Sequence, residues 1–320
     1  MTQYIIRRIL VSIPIFFAIT MIVYALFALS PGDPVINIIG FSTFTEMTSQ
    51  QIEIVRHQYG LDQPWLVRYV RWLGDALQGD LGYPFKGSKP VVDILAERIS
   101  PTLVLMGTSL ILALIVGIPM GVIMALKQYS KVDYLLTVIA FANLSIPSFF
   151  IGLGFIYIFA LKLDILPTYG MQTIGAPFSI WDRIRHLIMP SAILGLFNAG
   201  MWARYTRASV LEVMRLDFVT VARAKGLHER AVIGRHVFRN SLLPLITVVG
   251  LSIPQLLGGA IITETIFQWP GMGMLGWKAT TTRDYPILMG ITLISATLIL
   301  FSNLITDIAY AIADPRIRYD

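Results

Sequence analysis

The chain has 320 residues, of which 55% are hydrophobic and 14% are charged, with a formal net charge of +6. This composition excludes a soluble globular domain, because the mean hydropathy is +0.69 and several apolar stretches approach the length of about 20 residues that crosses a bilayer as a helix. The absence of cysteine excludes disulfides, thiolate metal sites and cysteine nucleophiles. The sequence therefore predicts an all-α polytopic membrane protein.

Six apolar stretches are predicted to cross the membrane as helices. In chain order they are residues 9–29, 103–126, 134–161, 187–203, 242–262 and 287–312. The first follows Arg7-Arg8, as a signal peptide would, but its apolar run is longer than the usual stretch of about 7–15 residues and no A-x-A site follows it. We therefore expect residues 1–30 to be a retained N-terminal transmembrane helix.

The stretch after the first span, residues 31–100, is too long to be a simple connector. Residues 49–59 and 64–77 have the periodicity of amphipathic helices, with Gly60 and Gly79 where helices would end. The apolar positions of the second helix are Leu66, Tyr69, Val70, Leu73 and Leu77. We predict a small extracytoplasmic helical subdomain, ahead of a transmembrane core at residues 101–320. Its Trp65 and Trp72 fit either the subdomain core or the lipid interface.

The distribution of basic residues predicts the orientation. With a cytoplasmic N-terminus, the 61 cytoplasmic positions outside the spans contain 14 of the 25 Lys and Arg residues, and the 117 outer positions contain 11. This bias follows the positive-inside rule and places both termini and residues 204–241 in the cytoplasm. Membrane topology thus explains much of the net charge, and no nucleic-acid partner is needed.

Two glycine-rich runs have only a superficial likeness to nucleotide-binding motifs. Residues 82–89 end in Ser88-Lys89, the reverse of the order that a phosphate-binding loop requires, and no strand precedes them. Residues 271–276 fit G-x-G-x-x-G but follow Trp269-Pro270 in an outer turn. Neither predicts a nucleotide site. Gly117 and Gly121, by contrast, have the spacing of a close-packing helix face.

No catalytic or metal-binding constellation is recognisable. The histidines at 57, 186, 228 and 236 lack metal-ligand spacing. Ionisable residues within the spans are scarce, and Asp307 is the clearest, with Glu264 at an outer helix end. An intramembrane carboxylate is a candidate for proton coupling, but Asp307 is near the cytoplasmic end, where we favour a structural ion pair or cap. A proton-coupled carrier and a membrane-anchored enzyme are therefore the less favoured alternatives.

The most informative stretch is the basic segment between the fourth and fifth spans. Residues 204–241 contain eight Lys or Arg, and Gly226 is a natural break between two short helices. A solvated loop is the simplest interpretation, but each half has an apolar face. The predicted apolar positions are Phe218, Val219 and Ala222 in the first half, and Leu227, Val232, Ile233 and Val237 in the second. This pattern favours short helices parallel to the membrane that dock a cytoplasmic partner.

The same stretch carries a family resemblance. The pattern D-Y-x-R-T-A-R-A-K-G, then H-x-x-R-N and a proline, corresponds to residues 217–226, His236, Arg239-Asn240 and Pro244, with departures at Phe218, Thr220 and Val221. The segment resembles the docking loop of permease subunits of binding-protein-dependent ABC importers, in the dipeptide/oligopeptide/nickel family and its first paired permease. Further matching runs are residues 31–34, 59–62, 79–82, 203–207, 269–273, 283–286 and 314–318.

The resemblance implies a prokaryotic inner-membrane permease that forms half of a translocation pathway for di- or oligopeptides, or alternatively for nickel or another small solute. Implied partners are a second homologous permease, two cytoplasmic ATPases that bind ATP and Mg, and an extracytoplasmic binding protein. By the same resemblance, the chain itself is expected neither to be an enzyme nor to bind a cofactor. The implied ATPase-docking residues are Asp217, Ala222, Arg223, Ala224, Lys225, Gly226, Leu227, His236, Arg239 and Asn240. We expect Glu264, Trp269 and Pro270 to shape the outer mouth or gate.

Overall fold

The computed structural model describes residues 2–257 and 260–313, and every regular element in these residues is a helix. Within this part of the chain, four helices are long and apolar enough to cross a bilayer. They are Ile6–Ala28, Val91–Leu126, Ile180–Met214 and Tyr285–Leu304. They correspond to the first, second, fourth and sixth predicted spans, and the predicted all-α membrane architecture is confirmed.

The first long helix, α1, is followed by four short helices in the predicted outer segment. Their bounds are Thr2–Ala28 for α1, Pro34–Ile39 for α2, Phe41–Glu46 for α3, Ser49–Gln58 for α4 and Trp65–Leu77 for α5. The two amphipathic helices expected here agree with α4 and α5 within a residue. A capping box explains the start of α4, because the Thr48 hydroxyl accepts the Gln51 N–H while the Gln51 side chain accepts the Thr48 N–H.

Two very long helices form the centre of the molecule. They are α6 at Val91–Leu126 and α9 at Ile180–Met214, and between them lie α7 at Lys131–Ser145 and α8 at Ser148–Phe155, followed by a π-helical segment at Ile156–Lys162. Both long helices extend well past the predicted spans. Because α6 begins at Val91, the last ten residues of the predicted outer segment belong to the same helix as the second span.

The third predicted span is not one continuous helix. Ile146 has an extended backbone, with φ −98° and ψ 126°, and separates α7 from α8. The next residue, Pro147, is the cause, because proline disfavours helical geometry in the residue before it and has no N–H to donate. The prediction of an uninterrupted helix over residues 134–161 is therefore wrong, although its apolar residues are helical on both sides of the break.

The C-terminal part of the chain contains six helices in its described residues. They are α10 at Asp217–Ala224, α11 at Glu229–Ala231, α12 at Arg239–Leu257, α13 at Ile261–Ile266, α14 at Met272–Thr282 and α15 at Tyr285–Ala313, with a π-helical segment at Val232–Phe238. The predicted fifth span, residues 242–262, is also divided, because Ala260 is non-helical, with φ −109° and ψ 74°, and separates α12 from α13.

The long helices α6 and α9 are packed backbone to backbone. A Cβ atom on Gly117 would lie 2.7 Å from the carbonyl oxygen of Ala199, and one on Gly121 would lie 2.6 Å from Cβ of Thr206 and overlap the carbonyl oxygen of Ala203. Only glycine permits this approach. The predicted close-packing face at Gly117 and Gly121 is confirmed, and it makes α6 and α9 a tightly joined pair.

A second core joins the outer segment to the membrane helices. Its buried side chains come from the α5–α6 connection, the start of α6, α14 and the start of α15, and they are Leu81, Val91, Leu95, Met272, Leu275, Ala279 and Ile287. Gly290 belongs to the same contact, because a Cβ there would lie 2.7 Å from Leu95. The end of the outer segment is thus fixed to α6 and α15.

Candidate functional site

The α9–α12 segment, residues 215–238, contains a sharp bend between α10 and α11. Gly226 lies in this bend with φ +75°, in the left-handed region that favours glycine. The N–H of Gly226 donates to the carbonyl of Arg223, and the N–H of Lys225 donates to that of Val221. Among the described atoms, none lies within 4 Å of a Cβ built on Gly226. The backbone conformation, and not a close contact, therefore requires glycine here.

One side of this segment is buried against the long helices. Val219 is fully buried and Ala222 nearly so, and both belong to a core with the end of α6, the end of α9 and the π-helical segment. The buried members of this core are Ala125, Val210, Val213, Val219, Ala222, Val232 and Val237. Burying a valine side chain contributes about 1.5–3 kcal/mol, so this core holds α10 against the π-helical segment and the ends of α6 and α9.

The other side of the segment exposes apolar side chains. Phe218 is 41% exposed, Val221 50% and Leu227 44%. The sequence predicted one apolar face for each half, and the structure divides its residues. Val219, Ala222, Val232 and Val237 are buried and Ile233 is half-buried, whereas Phe218 and Leu227 are exposed. Val221, named above only as a departure from the family pattern, was not predicted to lie on an apolar face. A soluble protein partner would cover these exposed side chains favourably.

An ion pair bridges the bend. The Arg223 guanidinium donates from Nη2 to Glu229 Oε1 at 2.7 Å and from Nε to Oε2 at 3.2 Å. These hydrogen bonds lower the pKa of the Glu229 carboxyl and raise the pKa of Arg223. Any stabilisation from Glu229 is present above its ordinary pKa and is lost as the pH falls through its lowered folded value. Both side chains are exposed, so the pair adds little by itself.

The remaining sequence-predicted docking residues lie on the exposed surface of the same region. Asp217, Ala224, Lys225, Arg239 and Asn240 are exposed, and His236 is half-buried. The Asn240 side-chain amide donates to the carbonyl of His236, at the junction of the π-helical segment with α12. The structure thus brings all the predicted docking residues together in the α9–α12 segment and the first two residues of α12.

Two contacts beside this segment join α9 to neighbouring helices, and neither was predicted from the sequence. Asp133 at the start of α7 accepts two hydrogen bonds from Arg207 of α9, at 3.1 Å from Nε and 2.9 Å from Nη2. The hydroxyl of Ser209 donates to the carbonyl of Ser241 at 2.9 Å, joining α9 to α12. Their partners are 74 and 32 residues apart, and only the folded structure places them together.

At the other end of the molecule, Glu264 is completely buried. Its Oε1 accepts the Thr102 hydroxyl at 3.0 Å, and its Oε2 accepts the N–H of Met274 at 2.9 Å. The Thr102 hydroxyl in turn accepts the N–H of Met272 at 2.8 Å. Glu264 therefore joins α6, α13 and α14, and removing its acceptor atoms would leave buried donors without partners, at about 1–3 kcal/mol each.

Trp269 belongs to the same corner. It is 1% exposed, and its Nε1–H donates to the carbonyl of Pro101 at 2.9 Å. Pro270 is half-buried, and a Cβ on Gly271 would collide with the Glu264 carboxyl group. The structure thus brings Glu264, Trp269 and Pro270 together in a packed corner. Their role in an outer mouth stays a prediction.

Other ionisable residues in the described part of the chain provide no second site. Among the described residues, no group of three or more His, Cys, Asp or Glu side chains is placed to hold one metal ion. The side chain of Asp307 lies outside those that the structure describes. The candidate site is therefore the α9–α12 segment, with its buried inner face and exposed outer face.

The long helices α6 and α9 end beside an amphipathic connection. This arrangement is consistent with the membrane component of a transport system. Residues 117–319 match the family model described as binding-protein-dependent transport system inner membrane component. Residues 1–106 match the model for the N-terminal part of such membrane components. The chain belongs to this family of binding-protein-dependent transport system membrane components.

Curated relatives match the chain over its whole length. It is 44% identical over 321 residues to the oligopeptide transport system permease protein AppB of Bacillus subtilis, covering 100% of both chains. It is 36% identical over 337 residues to the dipeptide permease DppB of Alkalihalophilus pseudofirmus, and 38% identical over 319 residues to the glutathione permease GsiC of Escherichia coli K12. Both alignments again cover 100% of each chain.

The fold also resembles a solved transporter. An inward-facing structure of the MetNI methionine ABC transporter matches 71% of this chain and 100% of the compared chain, with a TM-score of 0.55 and 15% sequence identity. At this identity the likeness concerns the fold alone. It agrees with the family assignment.

Proposed function

We propose that this chain is a permease subunit of an ATP-driven peptide importer and that its α9–α12 segment is the seat of a cytoplasmic ATPase. The observation that carries the proposal is the two-sided packing of α10. Val219 and Ala222 attach it to the ends of α6 and α9, while Phe218 and Val221 are left exposed for a partner. The full-length likeness to oligopeptide and dipeptide permeases supports peptides as substrates.

The contacts suggest how movement of the ATPase reaches the membrane. A displacement of α10 passes through its buried face to the ends of α6 and α9, which the glycine contacts hold together. The Asp133–Arg207 pair carries it to α7. Rigid helices connected in this way transmit a rotation better than a flexible loop would. Their rotation would switch the permease between its inward- and outward-open states. At the other end of α6, the Glu264 corner moves with it and shapes the outer mouth.

The remaining partners follow from the family and the same arrangement. A second, homologous permease completes the pathway, two ATPases bind ATP and Mg, and an extracytoplasmic binding protein delivers the peptide. This chain itself holds no cofactor and catalyses no reaction. It crosses the prokaryotic cell membrane six times, with the third and fifth crossings each formed by two helices, and both of its termini lie in the cytoplasm.

The proposed orientation can be tested with single cysteines, because the natural chain has none. Ser49 and Lys131 are both exposed and lie on opposite sides of the membrane in this proposal, and neither belongs to the docking residues. We expect Ser49→Cys to react with a membrane-impermeant maleimide in intact cells, and Lys131→Cys to react only after the cells are opened. The reverse pattern would invert the orientation.

The docking role predicts a specific effect of Val221→Asp. The side chain is half-exposed, so the fold should tolerate the carboxylate, but an ATPase seated there would have to desolvate it. We expect normal membrane insertion and at least a tenfold loss of ATPase co-purification, about 1.4 kcal/mol or more. Ile174→Asp, at a more exposed apolar side chain in the loop before α9, is the matched control and should retain the ATPase. Equal recovery with both variants would exclude Val221 from the interface.

A further inference from the structure

The apolar face of α5 is uncovered. Leu66 is 50% exposed, Val70 66% and Leu77 68%, and with half-buried Leu73 they lie on one side of a helix. The sequence pattern predicted an apolar face here, which such a helix would normally bury within a subdomain. In the described part of the chain, Tyr69 is instead the one residue of α5 that is buried.

The contacts of Tyr69 show where α5 lies along α1. Its hydroxyl is 3.0 Å from the hydroxyl of Thr20 and donates to the carbonyl of Phe17 at 3.3 Å. Its ring is 5.5 Å from that of Tyr24. Thr20 precedes the end of α1 at Ala28 by eight residues, which is about 12 Å at the helical rise. This side of α5 therefore lies well inside the length of a membrane-spanning helix.

The opposite face of α5 is polar and borders an open cavity. Arg68, Arg71 and Asp75 line this cavity of about 310 Å³. Its other walls include Phe27, Ala28 and Pro34, at the end of α1 and just beyond it. The polar face of α5 is thus turned toward this cavity near the end of α1, and the face with Val70 is turned away from it.

The surface of α1 at the same level is also apolar and exposed. Met21 is 41% exposed, Ile22 57% and Leu26 65%, as expected for side chains in contact with lipid. The exposed face of α5 continues this lipid-facing surface. A helix with an apolar face, an Arg-containing polar face and tryptophans has the character of helices that lie in the membrane interface.

We propose that α5 is embedded in the membrane leaflet nearest Ala28, with lipid acyl chains covering Leu66, Val70 and Leu77. The orientation proposed above makes this the outer leaflet. Tyr69 and Trp72 hold the helix against α1, while Arg68, Arg71 and Asp75 remain hydrated in the cavity. The outer segment is thus anchored in lipid through α5, in addition to its attachment to α6 and α15. This inference depends on the family's membrane location and not on the ATPase-docking proposal.

Lipid contact can be measured by fluorescence quenching in the assembled importer. Val70→Cys and Asp75→Cys, each the only cysteine of this chain, would carry a bimane label in phosphatidylcholine vesicles. We expect nitroxide on the lipid acyl chains to quench the label at position 70 several-fold more strongly than that at position 75. Aqueous iodide should show the opposite preference. Leu66→Cys provides a second site on the same face should Val70→Cys assemble poorly.

Two outcomes would overturn the inference. If iodide, and not the lipid nitroxide, quenched the labels at positions 66 and 70, the apolar face would be in water. If lipid quenching were absent and addition of the peptide-loaded binding protein protected these labels from iodide, the face would be a protein-docking surface. Lipid quenching that persists with the binding protein present supports the lipid anchor.

Discussion

Gly121→Leu is expected to prevent accumulation of a folded subunit. A Cβ at this position would lie 2.6 Å from Cβ of Thr206 and 3.0 Å from the backbone nitrogen of Arg207, and it would overlap the carbonyl oxygen of Ala203. Two of these obstacles are backbone atoms, so no side-chain rotation relieves the clash. The helices α6 and α9 would have to separate along their contact. Overpacking of a core typically costs about 1–3 kcal/mol, and Leu at this backbone contact should exceed the upper value.

Gly107→Leu in the same helix is the matched control for this prediction. Among the described atoms, none lies within 4 Å of a Cβ at Gly107, and leucine has the higher helix propensity. We expect this variant to be extracted from membranes in normal yield with an unchanged thermal midpoint, whereas Gly121→Leu gives little monodisperse protein. Comparable yields and midpoints for the two variants would show that the α6–α9 contact is not as close as described.

The α6–α9 contact shows what the sequence predicts well. The spacing of Gly117 and Gly121 has a direct physical meaning, because small residues four apart create a flat helix face whatever the rest of the fold does. Local signals such as the Thr48–Gln51 capping box are similarly independent of tertiary structure. Amphipathic periodicity and the glycines at 60, 79 and 226 allowed α4, α5 and the bend at Gly226 to be predicted from the chain alone, whereas the capping box was not used in that prediction.

Other features depend on contacts that local patterns do not reveal. The break at Pro147 has a clear sequence signal, but the long apolar run around it masked that signal. Asp133 and Arg207 are 74 residues apart, and Thr102 and Glu264 are 162 apart, so nothing in either local sequence indicates the pairing. Amphipathic periodicity also reveals that a face is apolar without showing what covers it. Consequently, the exposed position of Phe218 was not predicted.

Gly226→Val is the second change with a large expected effect, and it acts on function. Valine at φ +75° is strained, because a β-branched residue rarely adopts the left-handed conformation. The cost of about 1–3 kcal/mol can be relieved by opening the bend, which would turn α11 away from α10. The core around Val219 keeps α10 attached to the membrane helices. We therefore expect an inserted, stable permease that binds its ATPase weakly and loses peptide-stimulated hydrolysis.

Gly226→Asn separates backbone conformation from steric contact. Asparagine tolerates the left-handed conformation better than other non-glycine residues, and the space around Gly226 is open among the described atoms. We expect this variant to keep most of the wild-type coupling. Comparable loss of coupling in both variants would mean that a partner contacts the glycine itself, and would contradict the conformational explanation.

The most direct test of the docking proposal measures the rate of ATP hydrolysis by the complete importer in vesicles. The importer would be reconstituted with its ATPases, second permease and binding protein, and the rate would be compared with and without peptide. We expect stimulation by peptide in wild type, most of that stimulation in Gly226→Asn, and almost none in Gly226→Val and Val221→Asp at equal permease content. Wild-type stimulation in both Gly226→Val and Val221→Asp would contradict the docking proposal, because the α9–α12 segment would then be a solvated loop with no part in coupling.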